Sequence, residues 1–235
     1  MKNYLLLLFS IFLISFYGCK KDKETPAVDL GYNYFPNEIG RYVIYQVDSI
    51  SYNDFFTPVK IDTAHFQIKE VIESHFADNL GRESERIERY VRSNDSLPWV
   101  LRDVWYHTRT SVSAEKIEEN VRFVRLTFPV ELNHKWNGNA YNPIGKYEYE
   151  YKAVDVAKTV NGLRFDSTLT VNQILDSNLI EKKYQLEIYA KNVGMIYKRF
   201  VDVQDKSTSI EPKPLSERID IGCDYTYRII AFGKQ

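Results

Sequence analysis

The sequence predicts an all-β protein, and three observations carry that expectation. Aromatic residues are abundant: 18 Tyr, 13 Phe and 3 Trp make up 14% of the chain, and such side chains favour half-buried pleated surfaces. Polar and apolar residues alternate with a period of two in segment after segment, most cleanly in GKYEYEYKAVDV (145–156), where Tyr147, Tyr149 and Tyr151 share one face and Glu148, Glu150 and Lys152 the other. Turn signals recur between these segments, and no long stretch shows a convincing helical period. Together they predict about nine or ten short strands in an antiparallel meander, closing into a curved half-open barrel or a sandwich.

The elements follow in order. RYVIYQVDSIS (41–51) and TAHFQIKEVIESHF (63–76) alternate as strands, and ADNLGRE (77–83) carries a turn signal in Asp78, Asn79 and Gly81. ESERIERYVRSN (83–94) has neither a clean two-residue nor a clean 3.6-residue period; its place after a turn and before Pro98 favours a strand with much solvent exposure. PWVLRDVWYHTRT (98–110) and NVRFVRLTF (120–128) are richer in aromatic and β-branched residues. Between them SVSAEKIEEN (111–120) reads as one short helical turn or as the start of a long strand. WNGNAYNPIG (136–145) holds tight turns, and VNGL (160–163) is an Asn-Gly hairpin turn into RFDSTLTVNQI (164–174). KKYQLEIYAKNVGMIYKRFVDVQ (182–204) gives two strands broken near Asn192 and Gly194. Residues 204–222 are a polar, proline-bearing loop, and DYTYRIIAFG (224–233) is the last strand. No internal repeat or linker divides this span, so residues 35–235 are expected to form a single domain.

The chain is 44% hydrophobic and 27% charged, with a formal net charge of -1. That composition supports one sizeable core and offers no global field for nucleic acid, which is excluded as an expected partner. The N-terminus is different. In MKNYLLLLFSIFLISFYG (1–18), Lys2 precedes an apolar run from Tyr4 to Tyr17, and Lys20, Lys21, Asp22, Lys23 and Glu24 end it abruptly. The run is shorter than the roughly 20 residues a spanning helix needs, and fits a secretory signal. Residues 20–34, with Pro26 and Gly31, read as a flexible tether.

A short signal ending in Gly18-Cys19 before a polar tether resembles the signal of bacterial lipoproteins. Phe16 and Tyr17 stand where the usual box has Leu and a small residue; looser boxes of this kind, followed by charged runs like KKDKE, are familiar in Bacteroidota-type lipoproteins. NYFPNEIGRYVIYQVDS and EIYAKNVGMIYKRF are also similar to recurring segments of uncharacterised outer-membrane lipoproteins of that group. The resemblance implies that residues 1–18 are removed and that Cys19 becomes the acylated first residue. It further implies that 19–34 tether the domain to the bilayer, at the outer membrane of a bacterial envelope, on its periplasmic or its surface face. The contrasting reading is a plain secretory signal with an incidental cysteine. With Cys19 acylated, Cys223 has no intramolecular disulfide partner and reads as a small buried thiol on a strand.

No motif announces catalysis. The four histidines, His65, His75, His107 and His134, have no metal-ligand spacing, and each is expected on a partly exposed strand or loop. No nucleophile elbow or phosphate-cradling Gly-rich loop is present. Glu83, Glu85 and Glu88, or Glu118 and Glu119, form sets that acid–base chemistry on glycosides would use, but neighbouring arginines and lysines favour solvated strand faces. A non-enzymatic domain without cofactor or metal is therefore expected, with binding or structural function. The alternatives are a half-barrel carrying a hydrophobic or glycan ligand and a hydrolase with an unrecognised carboxylate site. Trp99, Trp105, Trp136, Tyr147, Tyr149 and Tyr151 are the candidate ligand-facing aromatics, against the reading that they fill the core. Beyond the membrane itself, the expected partners are an envelope protein or a glycan.

Four sites fit Asp-(Ser/Thr)-apolar or Thr: Asp48-Ser49-Ile50, Asp62-Thr63-Ala64, Asp95-Ser96-Leu97 and Asp166-Ser167-Thr168. They resemble the O-glycosylation sequon of exported Bacteroidota proteins, which implies glycans on Ser49, Thr63, Ser96 and Ser167. The same pairs also suit strand ends and turns through local hydrogen bonds.

Overall fold

The computed structural model describes residues 28–207 and 213–235; the signal segment, Cys19 and tether residues 20–27 lie outside them. The described chain is all-β, with twelve antiparallel strands, two single 3-10 turns and no α-helix. The first six strands are β1 (Arg41–Asn53), β2 (Lys60–Ala77), β3 (Glu83–Arg92), β4 (Val100–Arg109), β5 (Ser113–Glu118) and β6 (Val121–Thr127). The second six are β7 (Lys135–Asn137), β8 (Glu148–Val160), β9 (Leu163–Ser177), β10 (Glu181–Ala190), β11 (Gly194–Gln204) and β12 (Ile221–Lys234). They form one sheet in the order β6-β5-β4-β3-β2-β1-β12-β11-β10-β9-β8-β7. Each half is a meander, and β1 pairs with β12 to join them. The sheet curls into a nearly closed barrel with one unsealed seam, where β6 meets β7.

Ladder irregularities supply the curl. Register shifts fall in β1/β12 at Ile44/Tyr45, in β2/β3 at Ile72/Ser74, in β3/β4 at Arg89/Tyr90 and three times along β8/β9. Each such bulge adds local right-handed twist and bends its strand, which a sheet needs in order to close. At the start of β12 only glycine fits: Gly222 has φ +120°, and a Cβ there would stand 2.0 Å from the Asp202 carbonyl oxygen.

Side chains and a loop bridge the seam where no continuous ladder does. The Tyr151 hydroxyl on β8 accepts from the Thr127 N–H at 2.8 Å and donates to the Thr127 carbonyl at 2.7 Å. It thereby stands in for a strand rung to β6. The Trp136 indole donates to the Val124 carbonyl at 2.9 Å, and Val124 N–H donates to the Gly138 carbonyl at 2.8 Å. Around this seam Tyr149 and Tyr151 belong to one buried cluster with Tyr34, Phe35, Leu126, Leu169 and Tyr189. A second cluster gathers Tyr45, Val47, Ile68, Ile188, Ile196 and Ile229.

One open alternative is settled and two expectations change. Of residues 111–120, Ser113–Glu118 form strand β5, flanked by a bend and a turn. Twelve strands form rather than nine or ten, because β5 and the three-residue β7 are too short to show a period. The last part of the expected tether, from Asp29, is packed onto the barrel. Tyr34 is fully buried, Lys191 pairs with Asp29 at 3.0 Å, and the Arg109 guanidinium donates to the carbonyls of Tyr32 and Phe35. Aromatic side chains at 32, 34 and 35 make this segment a plug over one end of the barrel rather than a free linker.

Candidate functional site: a charged interior cavity

Inward-facing positions on a strand recur every second residue, and in this barrel many of them are charged. Glu70 and Ile72 on β2, Ile87 and Arg89 on β3, Trp105 and His107 on β4, and Lys116 and Glu118 on β5 all line one cavity of ≈ 120 Å³. Arg125 from β6, Glu187 and Tyr189 from β10, Lys198 from β11, and Tyr225 and Tyr227 from β12 complete its walls. The cavity has room for several waters or one small polar molecule. Phe35 and Pro36 of the plug face it at one side.

Two cross-strand rows set the charges. Glu70, Arg89 and Asp103 lie opposite one another across β2, β3 and β4. Arg89 donates from Nε to Glu70 at 2.9 Å and from Nη1 to both Asp103 oxygens at 2.8 and 2.9 Å. Its guanidinium lies 3.4 Å from the Trp105 ring centre, and Lys116 Nζ lies 4.9 Å from the same ring. In the second half Glu187 and Lys198 face each other on β10 and β11, with their charges 3.2 Å apart. Opposite-charge pairs directly across a ladder are mutually stabilising.

Arg125 ties the halves together. It reaches Glu118 at 2.8 Å and Glu187 at 3.5 Å, while Tyr189 donates to the other Glu187 oxygen at 2.5 Å. The Arg125 Nε–H, by contrast, is buried and has no hydrogen-bond partner, in a residue only 4% exposed. Buried polar groups are nearly always satisfied, which sets this donor apart from the other Arg125 nitrogens. The lining holds five permanent cations (Arg41, Arg89, Lys116, Arg125 and Lys198) against three carboxylates (Glu70, Glu118 and Glu187). Asp103 and Glu38, which pair with Arg89 and Arg41, stand outside the lining.

These neighbours fix the protonation states. Burial opposes the charged form at Glu70, Glu118 and Glu187, yet the surrounding cations outweigh it and all three stay below the ordinary carboxylate range. Burial likewise opposes charge on Lys198, but Glu118 and Glu187 push its value up. Burial pushes His107 down, partly offset by Glu85, and pushes the tyrosines up, Tyr225 to about 12.

The pH dependence of stability follows from the signs. Depressed carboxylates contribute fully above their ordinary value of 4.5 and lose that contribution as pH falls through the lowered folded values. A neutral buried His107 adds a loss of the same sign below its ordinary 6.5. Raised groups contribute fully below their ordinary values, the lowest being Cys223 at 9.0, and lose that contribution as pH rises through the folded values. Urea midpoints should therefore be flat between about pH 6.5 and 9 and fall most steeply below pH 4.5. A midpoint that rises on acidification would contradict the paired network.

The structure distributes the sequence-derived candidates widely. Trp105 lines the cavity. Trp99 stacks under Arg92 at 4.3 Å, outside the lining. Trp136, Tyr147, Tyr149 and Tyr151 gather at the seam, so the clean Tyr stripe of β8 packs against core and seam. Ser49 and Thr63 lie on the neighbouring strands β1 and β2, Thr63 exposed, and Ser96 is exposed in the β3–β4 turn. The Ser167 hydroxyl on β9 is engaged by Asp155 and lies 2.9 Å from the Tyr34 hydroxyl. Cys223 is a free thiol, half-buried, with a value raised by burial. Two expectations are corrected. Glu85 is buried beside Asn37 and His107, and Glu118 lines the cavity beside Arg125, where solvated faces were expected, because both occupy inward-facing strand positions. His107, expected partly exposed, is buried beside Glu85.

Fold and site together define an antiparallel β-barrel with a charged interior cavity. Among solved structures, the chain is similar to one from Bacteroides fragilis NCTC 9343 described as a "putative exported protein with YmcC-like fold", at a TM-score of 0.42 and 9% identity over 85% of this chain and 98% of that chain. No family model matches the chain, and no curated protein matches it.

Proposed function

We propose that this chain is a non-enzymatic binding module of a bacterial cell envelope, lipid-anchored through Cys19, whose barrel interior holds a small anionic ligand of the sugar-acid type. The supporting observation is that Arg125, a lining residue of this charged cavity, keeps a buried Nε–H without a hydrogen-bond partner. A carboxylate ligand would satisfy that donor through a charge-assisted bond. Tyr225 and Tyr227 supply aromatic faces and hydroxyls suited to a polyol. A hydrophobic cargo is disfavoured, because it would displace water from these charged groups and return no hydrogen bonds. The cavity carboxylates are all held ionised by cations, a state suited to binding more than to general acid catalysis near neutral pH.

Two outcomes are expected. Full-length protein in detergent should bind glucuronate saturably and glucose at least tenfold more weakly, with affinity falling as salt rises; equal affinity for the neutral sugar would contradict an anion site. Cys19→Ala should leave the protein unprocessed or in the soluble fraction, since stable anchoring needs two or more acyl chains. Unchanged membrane partitioning would remove the anchor from the account. Intact mass from the native host tests the glycans proposed on Ser49, Thr63, Ser96 and Ser167; unmodified hydroxyls at all four would end that part.

A further inference from the structure

Near the β2–β3 turn a second polar constellation stands apart from the ion network. His75, Glu83 and Glu85 each offer one ligand atom, all within 4.8 Å of one another. The ladder brings them together: His75 on β2 lies directly opposite Glu85 on β3, just past the β2 bulge, and Glu83 lies two residues before Glu85 on the same strand face.

Two observations say what this cluster lacks. Glu85 is 1% exposed, and its only ion-pair partner among the described residues is the imidazole of His107, at 3.0 Å. The other carboxylates buried to a similar degree, Asp78, Glu115, Glu187 and Asp205, each pair with an Arg or a Lys. Buried carboxylates are paired with cations or coordinate metals. The second observation concerns His75. Its Nε2 lies 3.0 Å from the Asn37 carbonyl oxygen. A carbonyl only accepts, so Nε2 carries the hydrogen, and Nδ1 points its remaining position at Glu83, 3.6 Å away. A cation held between Nδ1 and the Glu83 carboxylate would satisfy both groups.

We propose that His75 Nδ1, Glu83 and Glu85 form a binding site for a divalent cation of the Zn²⁺ class. One imidazole nitrogen with two carboxylates is a donor set such ions accept, and the hard, oxygen-only preference of Ca²⁺ and Mg²⁺ fits it less well. Asn37 is the supporting residue. Its carbonyl fixes the His75 tautomer, and its Nδ2 donates to Glu85 Oε1 at 3.2 Å, the outer-shell arrangement that orients metal ligands. Tetrahedral bonds near 2.0 Å place ligand atoms about 3.3 Å apart, and His75 and Glu83, with side chains 35% and 70% exposed, are the ligands with room to move. Three protein ligands leave a coordination position for water or an anion.

The test is titration of tag-free, EDTA-stripped full-length protein with ZnCl₂ by calorimetry, alongside CaCl₂. The expected result is one Zn²⁺ per chain, with Ca²⁺ at least tenfold weaker. His75→Ala and Glu83→Gln should each weaken zinc binding at least tenfold and abolish the zinc-dependent rise in Tm. Both side chains are exposed enough for the variants to fold, which their unaltered Tm without metal would verify. Absence of stoichiometric zinc uptake, uptake unchanged in both variants, or equal affinity for Ca²⁺ would each overturn the site.

Discussion

Replacing Arg125 by Met should cost about 3–5 kcal/mol of unfolding free energy, the range for removing one partner of a buried ion pair. The substitution keeps much of the side chain's length and volume while deleting its charge. Glu118 would lose its 2.8 Å partner and Glu187 one of its two cations, leaving Lys198 at 3.2 Å from Glu187 and 3.9 Å from Glu118. The loss should be largest near neutral pH and shrink on acidification, because protonating Glu118 and Glu187 removes the uncompensated charge. Adding Glu187→Gln to Arg125→Met should recover part of the loss. A single-variant cost below about 1 kcal/mol, the level of an exposed pair, would mean that the interior is wet enough to screen these charges.

Tyr151→Phe should cost about 1–3 kcal/mol with almost no change in volume. The missing hydroxyl removes the partner of both the Thr127 N–H and the Thr127 carbonyl, and water reaching the half-buried Thr127 offsets part of the loss. The damage should be local. Amide exchange should accelerate in β6 and β7, while the β1–β12 pairing on the far side keeps its protection. Uniform acceleration through the sheet would show that the seam and the barrel open as one unit. Unchanged exchange at the seam would show that the Val124–Gly138 and Trp136–Val124 bonds hold it without the tyrosine.

The barrel was legible where its inward positions are apolar or aromatic, as in residues 145–156 and 41–51, because there the period of two coincides with burial. It was obscured in residues 83–94. The inward residues of β3 include Glu85 and Arg89, both buried, so charge appears on both faces and the alternation disappears. The same fact hid the cavity. Glu70, Arg89, Lys116, Glu118, Arg125, Glu187 and Lys198 sit on seven different strand positions spread over more than half the chain, and no local spacing links Arg125 to Glu187. One signal was available: the β-branched and aromatic run NVRFVRLTF places Arg122 and Arg125 inside an otherwise apolar strand, where a charge without a partner would be costly. The role of the β8 tyrosines was open for a different reason. Alternation shows that Tyr149 and Tyr151 share a face but not whether that face meets a cavity, the core or, as here, the seam.

The binding account turns on one atom, the Arg125 Nε–H. Its NMR correlation in ¹⁵N-labelled full-length protein, assigned by its disappearance in Arg125→Lys, reports directly on whether a ligand reaches it. The account predicts a saturable shift of that resonance with glucuronate and none with glucose at the same concentrations. A resonance that stays fixed while surface arginines respond, or that moves equally with both sugars, would contradict it.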